Sequence, residues 1–354
     1  MAEVSGRACA CSEKKPKSNQ ERQVSKHDTV SAGTLTQPHS IPISLSGARS
    51  QSRSPFNTDM ATVVPKYTVR KATRADIGAI KTLTDAEEWE IPNGLLYCVF
   101  DMDSRAWVVA ESETDEIIGC RVLAYFNEET AEGGLYIVRR DLRGKGIGRD
   151  VNRVGLTAVG EANITLSAIS VSLYDTHGFT FYYDVYQKRG PAGAILGAIP
   201  DAEVSPDISI VPFEGSMFTE LKVYDDKVCE SERDYFLQNW IISHAKHILI
   251  ARSHTGVVVG YGCLGATEYC NEIAPLYADS DIIAWALLKR LLQHLNPKDS
   301  VHIFITSENK AMMGIIGKLF LKDVNLIHKM YTKKRVPQTL ERVYSLSALP
   351  FSTV

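Results

Sequence analysis

The stretch YIVRRDLRGKGIGRDV, residues 136–151, runs an apolar triplet (Tyr136, Ile137, Val138) into a series of cations. It then sets Gly144, Gly146 and Gly148 at alternate positions before helical spacing begins. A strand that ends in a glycine-rich turn and enters a helix is an anion site. The first N–H groups of the helix lack intrahelical acceptors, the helix dipole adds positive potential, and glycine lets backbone approach a phosphate with no Cβ between them. Arg143 and Lys145 add side-chain charge. The closing G-K-[ST] of a P-loop is absent, and the glycines run G-x-G-x-G where a dinucleotide site needs G-x-G-x-x-G. The turn reads as a phosphate cradle of another kind.

Downstream, ITLSAISVSLYDTHGF (164–179) reads as a strand followed by a short helix that carries Tyr174 and closes on Gly178 and Phe179. With the loop V-R-R-D-L-R-G-K-G-I-G, this segment resembles the GNAT acetyltransferases, whose acyl-CoA pyrophosphate loop follows the fourth strand with the signature [RQ]-x-x-G-x-[GA]. Arg143, Gly146 and Gly148 stand at the signature positions, while the usual proline three residues before the arginine is Arg140 here. The resemblance implies an α/β (α+β) protein of GNAT fold, a mixed central sheet flanked by helices, with acetyl-CoA as cosubstrate and no metal. It places the pyrophosphate on Arg143 and the backbone of Gly144, Lys145, Gly146, Ile147 and Gly148. It runs the pantetheine along the strand edge near Val138 as an added strand.

The family's tyrosine lies near the coenzyme A sulfur. An amine that attacks a thioester expels a thiolate, and a phenol of ordinary pKa near ~10 can protonate it, so Tyr174 is the expected general acid. The amine must also lose a proton. Glu128, Glu129 and Glu132 flank the start of the strand before the loop, where some family members place a base, but acids in such a connection are usually solvated and none is assigned. His177 reads as a helix-end residue.

The elements that must hold these groups follow from periodicity. From Tyr67 the chain alternates between strand and helix: a strand in YTVRKAT, a helix through Ile77, Ile80 and Leu83, hairpin strands at 106–112 and 117–126, and a strand at 133–139. A helix from about Gly148 to Ala162 presents Val151, Val154, Ala158 and Ala162 as its apolar face. Trp89, Tyr97 and Trp107 lie in segments that border the acceptor cleft of the resembled fold.

Residues 191–217, rich in Gly, Ala and Pro, read as a linker with one strand. Beyond it the order repeats: a helix in SERDYFLQNWIISH, strands HILIARS and GVVVGYGCLG, a junction IAPLYADS, a helix DIIAWALLKRLLQHL, a strand SVHIFIT and a helix from Asn309. The chemistry does not repeat. APLYADSDI has neither glycine nor cation where the loop should stand, and Ile316 takes the tyrosine position. With AEEWEIPNG and YGCLGATEYCNEIAPLYAD, the pattern resembles a two-domain GNAT subfamily in which an acetyltransferase domain precedes a divergent GNAT-like one. The expected division is a disordered tail (1–60), a catalytic domain (61–190) that binds acetyl-CoA by itself, a linker (191–217) and a divergent domain (218–350).

The 354 residues suffice for two domains. With 44% hydrophobic residues, 23% charged residues and a net charge of −3, the composition carries no bias toward nucleic acid or membrane. No apolar run approaches the ~18 residues of a membrane span, and the first residues lack the core of a secretory signal. Seven cysteines without C-x-x-C spacing read as reduced thiols in a cytoplasmic or nuclear compartment. The first 60 residues hold eleven serines and one aromatic residue, too little apolar surface to offset the entropy of ordering. The expected activity is acetyl-CoA-dependent N-acetyl transfer to an amine of a small molecule or peptide by direct attack in a ternary complex. The alternative is a non-catalytic acyl-CoA sensor or protein-interaction module.

Overall fold

A computed structural model of the protein describes residues 64–201, 203–319 and 321–351, and the tail read over 1–60 lies outside them. The first half begins with β1 (Tyr67–Lys71), α1 (Ile77–Ala86), α2 (Asn93–Met102), β2 (Ala106–Ser112), β3 (Ile117–Tyr125) and β4 (Thr130–Val138). It continues through α3 (Ile147–Val159), β5 (Asn163–Ala168), α4 (Val171–Asp175) and β6 (Thr180–Pro191). The stretch read as a linker holds α5 (Ala192–Ala198) and β7 (Ile208–Pro212). Then come α6 (Phe218–Cys229), α7 (Asp234–Phe236) with a π-helical continuation over Leu237–Ile242, β8 (Ala245–Ser253), β9 (Val258–Ala266) and β10 (Asn271–Ala278). α8 (Asp281–Leu292), β11 (Ser300–Thr306), α9 (Lys310–Ile315), β12 (Lys322–Tyr331) and β13 (Val343–Ser345) complete the order.

Two local expectations need correction. The junction IAPLYADS lies largely within strand β10. All of β10 but its first residue is buried, and apart from Glu272 the buried residues of both faces are uncharged and largely apolar, so no alternation marks the strand. The buried ridge of α3 is Ile147, Val151, Gly155 and Val159, one residue every four, whereas Ala158 is exposed. Gly155 explains the difference: a Cβ there would lie 2.9 Å from Arg121 Cγ, so only glycine lets the helix settle onto β3 at this point.

The strands join in one mixed sheet in the order β1-β2-β3-β4-β5-β12-β6-β11-β10-β9-β8-β7, with β13 on β10. The two halves exchange strands at its centre. β12 of the second half pairs with β5 of the first, and β6 of the first half lies between β12 and β11 of the second. The boundary drawn at residue 190 therefore does not separate two sheets. A buried ion pair spans the exchange: Lys329 on β12 donates to Glu132 on β4, and their side chains are 2% and 0% exposed. Glu132 is thus no solvated acid, while Glu128 and Glu129 are exposed.

Among the described residues, no helix is long and apolar enough to cross a membrane, and no group of three or more His, Cys, Asp or Glu could hold a metal ion. Cys98, Cys120, Cys229, Cys263 and Cys270 are free thiols.

Candidate active site

The glycine turn leaves β4 through a 3-10 turn at Arg140–Leu142 and enters α3 with Gly146 as its N-cap. Gly144 and Gly146 hold φ of +75° and +93°, left-handed values that strain any residue with a Cβ. Gly148 serves packing instead, since a Cβ on it would meet the Tyr136 hydroxyl at 2.9 Å. The cations of the stretch brace the turn. Arg143 donates to the Val138 carbonyl (3.0 Å) and to Glu87 at the end of α1 (2.5 Å), and Arg140 reaches the same carboxylate (3.0 Å). Burial pushes the Glu87 carboxyl up, but the bonds from Arg143 and Arg140 outweigh it and hold the group below its ordinary value. Ile147, the first helical residue, is fully buried against β2 and β3 and anchors the helix start, whose first N–H groups have no intrahelical acceptor.

β4 and β5 pair in parallel from Thr130↔Asn163 to Gly133↔Leu166, and there the pairing stops. The register of β4 on β3 shifts at the same point, between Val122 and Leu123. From Gly134 to Val138, β4 therefore has a strand partner on one side only among the described residues, with the glycine turn at its end. Tyr174 on α4 lies beside this opening, its ring edge-on to Phe179 (5.7 Å). Its hydroxyl makes no hydrogen bond among the described residues. Burial pushes the phenol up from its ordinary value, and the positive charge of Arg121 pulls it partly back. His177 bonds the Leu173 carbonyl (2.9 Å) at the exposed end of the same helix.

Arg121 escaped the sequence reading. Its side chain is buried where the strands part, and among the described residues its one hydrogen bond runs to the Leu135 carbonyl at 3.4 Å. Nε has no partner, and no carboxylate pairs with it among the described residues. Burial pushes this guanidinium below its ordinary pKa. An arginine in the middle of the apolar run IIGCRVLAYF was the available signal. A buried cation beside a phenol favours negative charge developing at that place.

Tyr174 stands at one end of a cavity of about 170 Å³ that both halves build. Its floor is the exchanged centre of the sheet, with Gln187 on β6, His302 and Phe304 on β11, and Asn325 and Ile327 on β12. Trp89, Ile91, Leu95 and Trp240 cover it, and Ser167 and Ser170 line the Tyr174 end. Of the three aromatics expected at the cleft, only Trp89 reaches it. Trp107 is wholly buried in the core, and Tyr97 lies under the Arg74 guanidinium at 4.6 Å. The segment before residue 352 closes another side through Leu349 and Pro350, and the Phe351 ring occupies the space a Cβ on Gly134 would need, 2.0 Å away.

Across the floor, His302 lies opposite Glu272 on β10 in one direction and Arg189 on β6 in the other. Both Arg189 contacts go to Glu90, at 2.8 and 2.9 Å. Burial pushes the His302 imidazole down to about 4, with Glu90 pulling it up and Arg189 opposing that. The folded pKa lies below the ordinary 6.5, so the unfolded chain binds the proton more readily. Stability from this group is complete above about pH 6.5 and is lost as the pH falls toward 4. Urea denaturation at pH 7.5 and pH 5 should show a smaller acid loss in His302→Gln than in the parent, and equal losses would contradict this.

Residues 73–179 match the acetyltransferase (GNAT) family and residues 221–345 match an acetyltransferase (GNAT) domain. The chain belongs to the GNAT acetyltransferases, as two GNAT domains in tandem, a family of acyltransferases that draw on acyl-CoA. A putative acetyltransferase from Pyrococcus horikoshii shares the fold with a TM-score of 0.62 at 21% identity, over 80% of this chain and 94% of that one. A tandem GNAT protein from the clavulanic acid biosynthesis pathway does so with a TM-score of 0.56 at 13% identity, over 75% and 97%. The holothin acyltransferase of Pseudoalteromonas sp. (strain SANK 73390) is 19% identical over 266 residues, 75% of this chain and 87% of that protein.

Proposed function

We propose that the protein is an acetyl-CoA-dependent N-acetyltransferase in which the first half holds the cosubstrate. What supports this most is continuity: the unpaired edge of β4 runs from one end of the cavity, where Gly134, Tyr136 and Tyr174 line it, to the glycine turn that follows Val138. The N–H groups of residues 144–148 hold the pyrophosphate and the edge from Gly134 to Val138 bonds the pantetheine. The second half offers no equivalent, because β10 enters α8 through Asp279 and Ser280, whose hydroxyl caps the helix by accepting from Ile283 N–H.

In the transfer, the amine nitrogen bonds the acetyl carbon as the C–S bond breaks, and sulfur leaves with the electron pair. Tyr174 gives its proton to that sulfur, and the proton shed by the amine leaves to solvent. Arg121 favours negative charge on the departing group or on the phenolate left behind. Most of the rate gain comes from holding amine and thioester together. The holothin acyltransferase, by its name an acyl-transfer enzyme, supports the same reaction class.

Tyr174→Phe keeps the ring on Phe179 and removes only the hydroxyl. With an acceptor found by screening acetyl-CoA consumption over amines, amino acids and peptides, turnover should fall on the order of 10²-fold while acetyl-CoA affinity holds. Unchanged turnover would make Tyr174 a packing residue and leave the leaving group unassisted.

A further inference from the structure

The charge at the far end of the cavity does not balance. Glu272 is 6% exposed and lines the cavity, yet no lysine or arginine pairs with it among the described residues. Its one ionic neighbour is His244, whose Nε2 lies 3.3 Å away without making a hydrogen bond. An imidazole balances a carboxylate only while protonated. Arg189, the guanidinium of the row, is occupied by Glu90, and the Nε2 of His302 between them also lacks a hydrogen bond. A buried carboxylate with no cation is destabilising unless something brings one. Aimed into a cavity, it marks where a ligand's positive charge belongs.

The floor of the cavity runs through β5, β12, β6, β11 and β10, from Ser167 beside Tyr174 to Glu272. Four inter-strand steps of ~4.8 Å make that about 19 Å, so the cavity is an elongated slot with chemically different ends. Its volume of about 170 Å³ lies below the ~300–1,000 Å³ of drug-sized sites, which suits a slender molecule.

Resting on the transferase reading for its other end, we propose that the second half supplies the acceptor's anchor, Glu272, and that the acceptor is a slender amine bearing a second cationic group remote from the nitrogen that reacts. The uncharged nitrogen meets the thioester beside Tyr174 while the remote ammonium, amidinium or guanidinium bonds Glu272. The loss of the phosphate loop in the second half and the gain of this carboxylate are then two sides of one division of labour.

The test is binding to the full chain, measured by calorimetry in the presence of CoA. Straight-chain diamines from 1,4-diaminobutane to 1,12-diaminododecane are compared with the monoamines of equal length. At the best length the parent should bind the diamine at least about 30-fold more tightly than its monoamine, the scale of a buried charge left unpaired. Glu272→Gln should erase that preference and leave monoamine and CoA affinity alone, while Glu272→Asp should retain it. A parent that binds both series alike, or neither, overturns the proposal without recourse to any variant, as does a Glu272→Gln protein that keeps the preference. Because no turnover is needed, a diamine that binds but is never acetylated counts against the transferase reading and leaves the subsite standing.

Discussion

Gly146→Val will lose acetyl-CoA binding and stay folded. Gly146 caps α3 at φ +93°, and no atom crowds its missing Cβ more closely than Arg149 at 3.5 Å. The fold has room for a side chain there, at a backbone strain of ~1–3 kcal/mol, so the melting temperature should drop by only several degrees. The ligand has no such room, because in the proposed function the pyrophosphate approaches the helix N–H groups where that side chain would stand. Losing two charge-assisted bonds of ~1.5–3 kcal/mol each weakens affinity at least about 100-fold. Arg143→Ala should weaken it tenfold or less, since Glu87 already occupies that guanidinium. Calorimetry with acetyl-CoA beside a thermal melt decides the matter. A valine variant that binds like the parent would reduce the turn to a structural element.

The halves will not survive separation. A chain of residues 64–191 would keep β6 without either neighbour, since among the described residues it pairs with β11 and β12 alone, and would bare the outer edge of β5. It would also strand Glu132 in the interior without Lys329, a loss of ~3–5 kcal/mol against a total stability of ~5–15. Far-UV circular dichroism and gel filtration of that chain should show an aggregated or unfolded species, whereas co-expression with residues 205–351 should restore a soluble complex. A folded, monomeric 64–191 would refute this. It would also revive the expectation of a first domain that binds acetyl-CoA by itself.

The exchange explains which features could be read from the residues. Elements that pair with near neighbours were legible: the hairpin of β2 and β3 has its turn between two apolar runs, and the glycine turn announces itself by spacing and charge. The central sheet was not, because β5 with β12 and β6 with β11 join residues more than a hundred positions apart, and no local period records which strand lies beside which. β10 shows no alternation because nearly all of it is buried, and the ridge of α3 cannot be counted from side chains because it passes through Gly155. The site divided along the same line. Tyr174 and the loop stood out as a motif, whereas Glu272 and His302 were single polar residues in apolar strands. They acquire meaning only once the register sets them in one row with Arg189.

The same exchange sets a timetable for biosynthesis. When the ribosome has released β6, every strand of the first half exists, but the slot beside β5 stays vacant until β12 emerges 140 residues later (191 to 331). At ~5–20 residues per second that interval is roughly 7–28 s, during which an unsatisfied β5 edge and an unpaired β6 are exposed to solvent. The glycine turn can form early, from local contacts, but the cavity floor is laid only after β12 has emerged. The nascent protein is therefore a natural client for chaperones that mask open strand edges, and a ribosome stalled inside α8 would hold a formed glycine turn with no cavity floor.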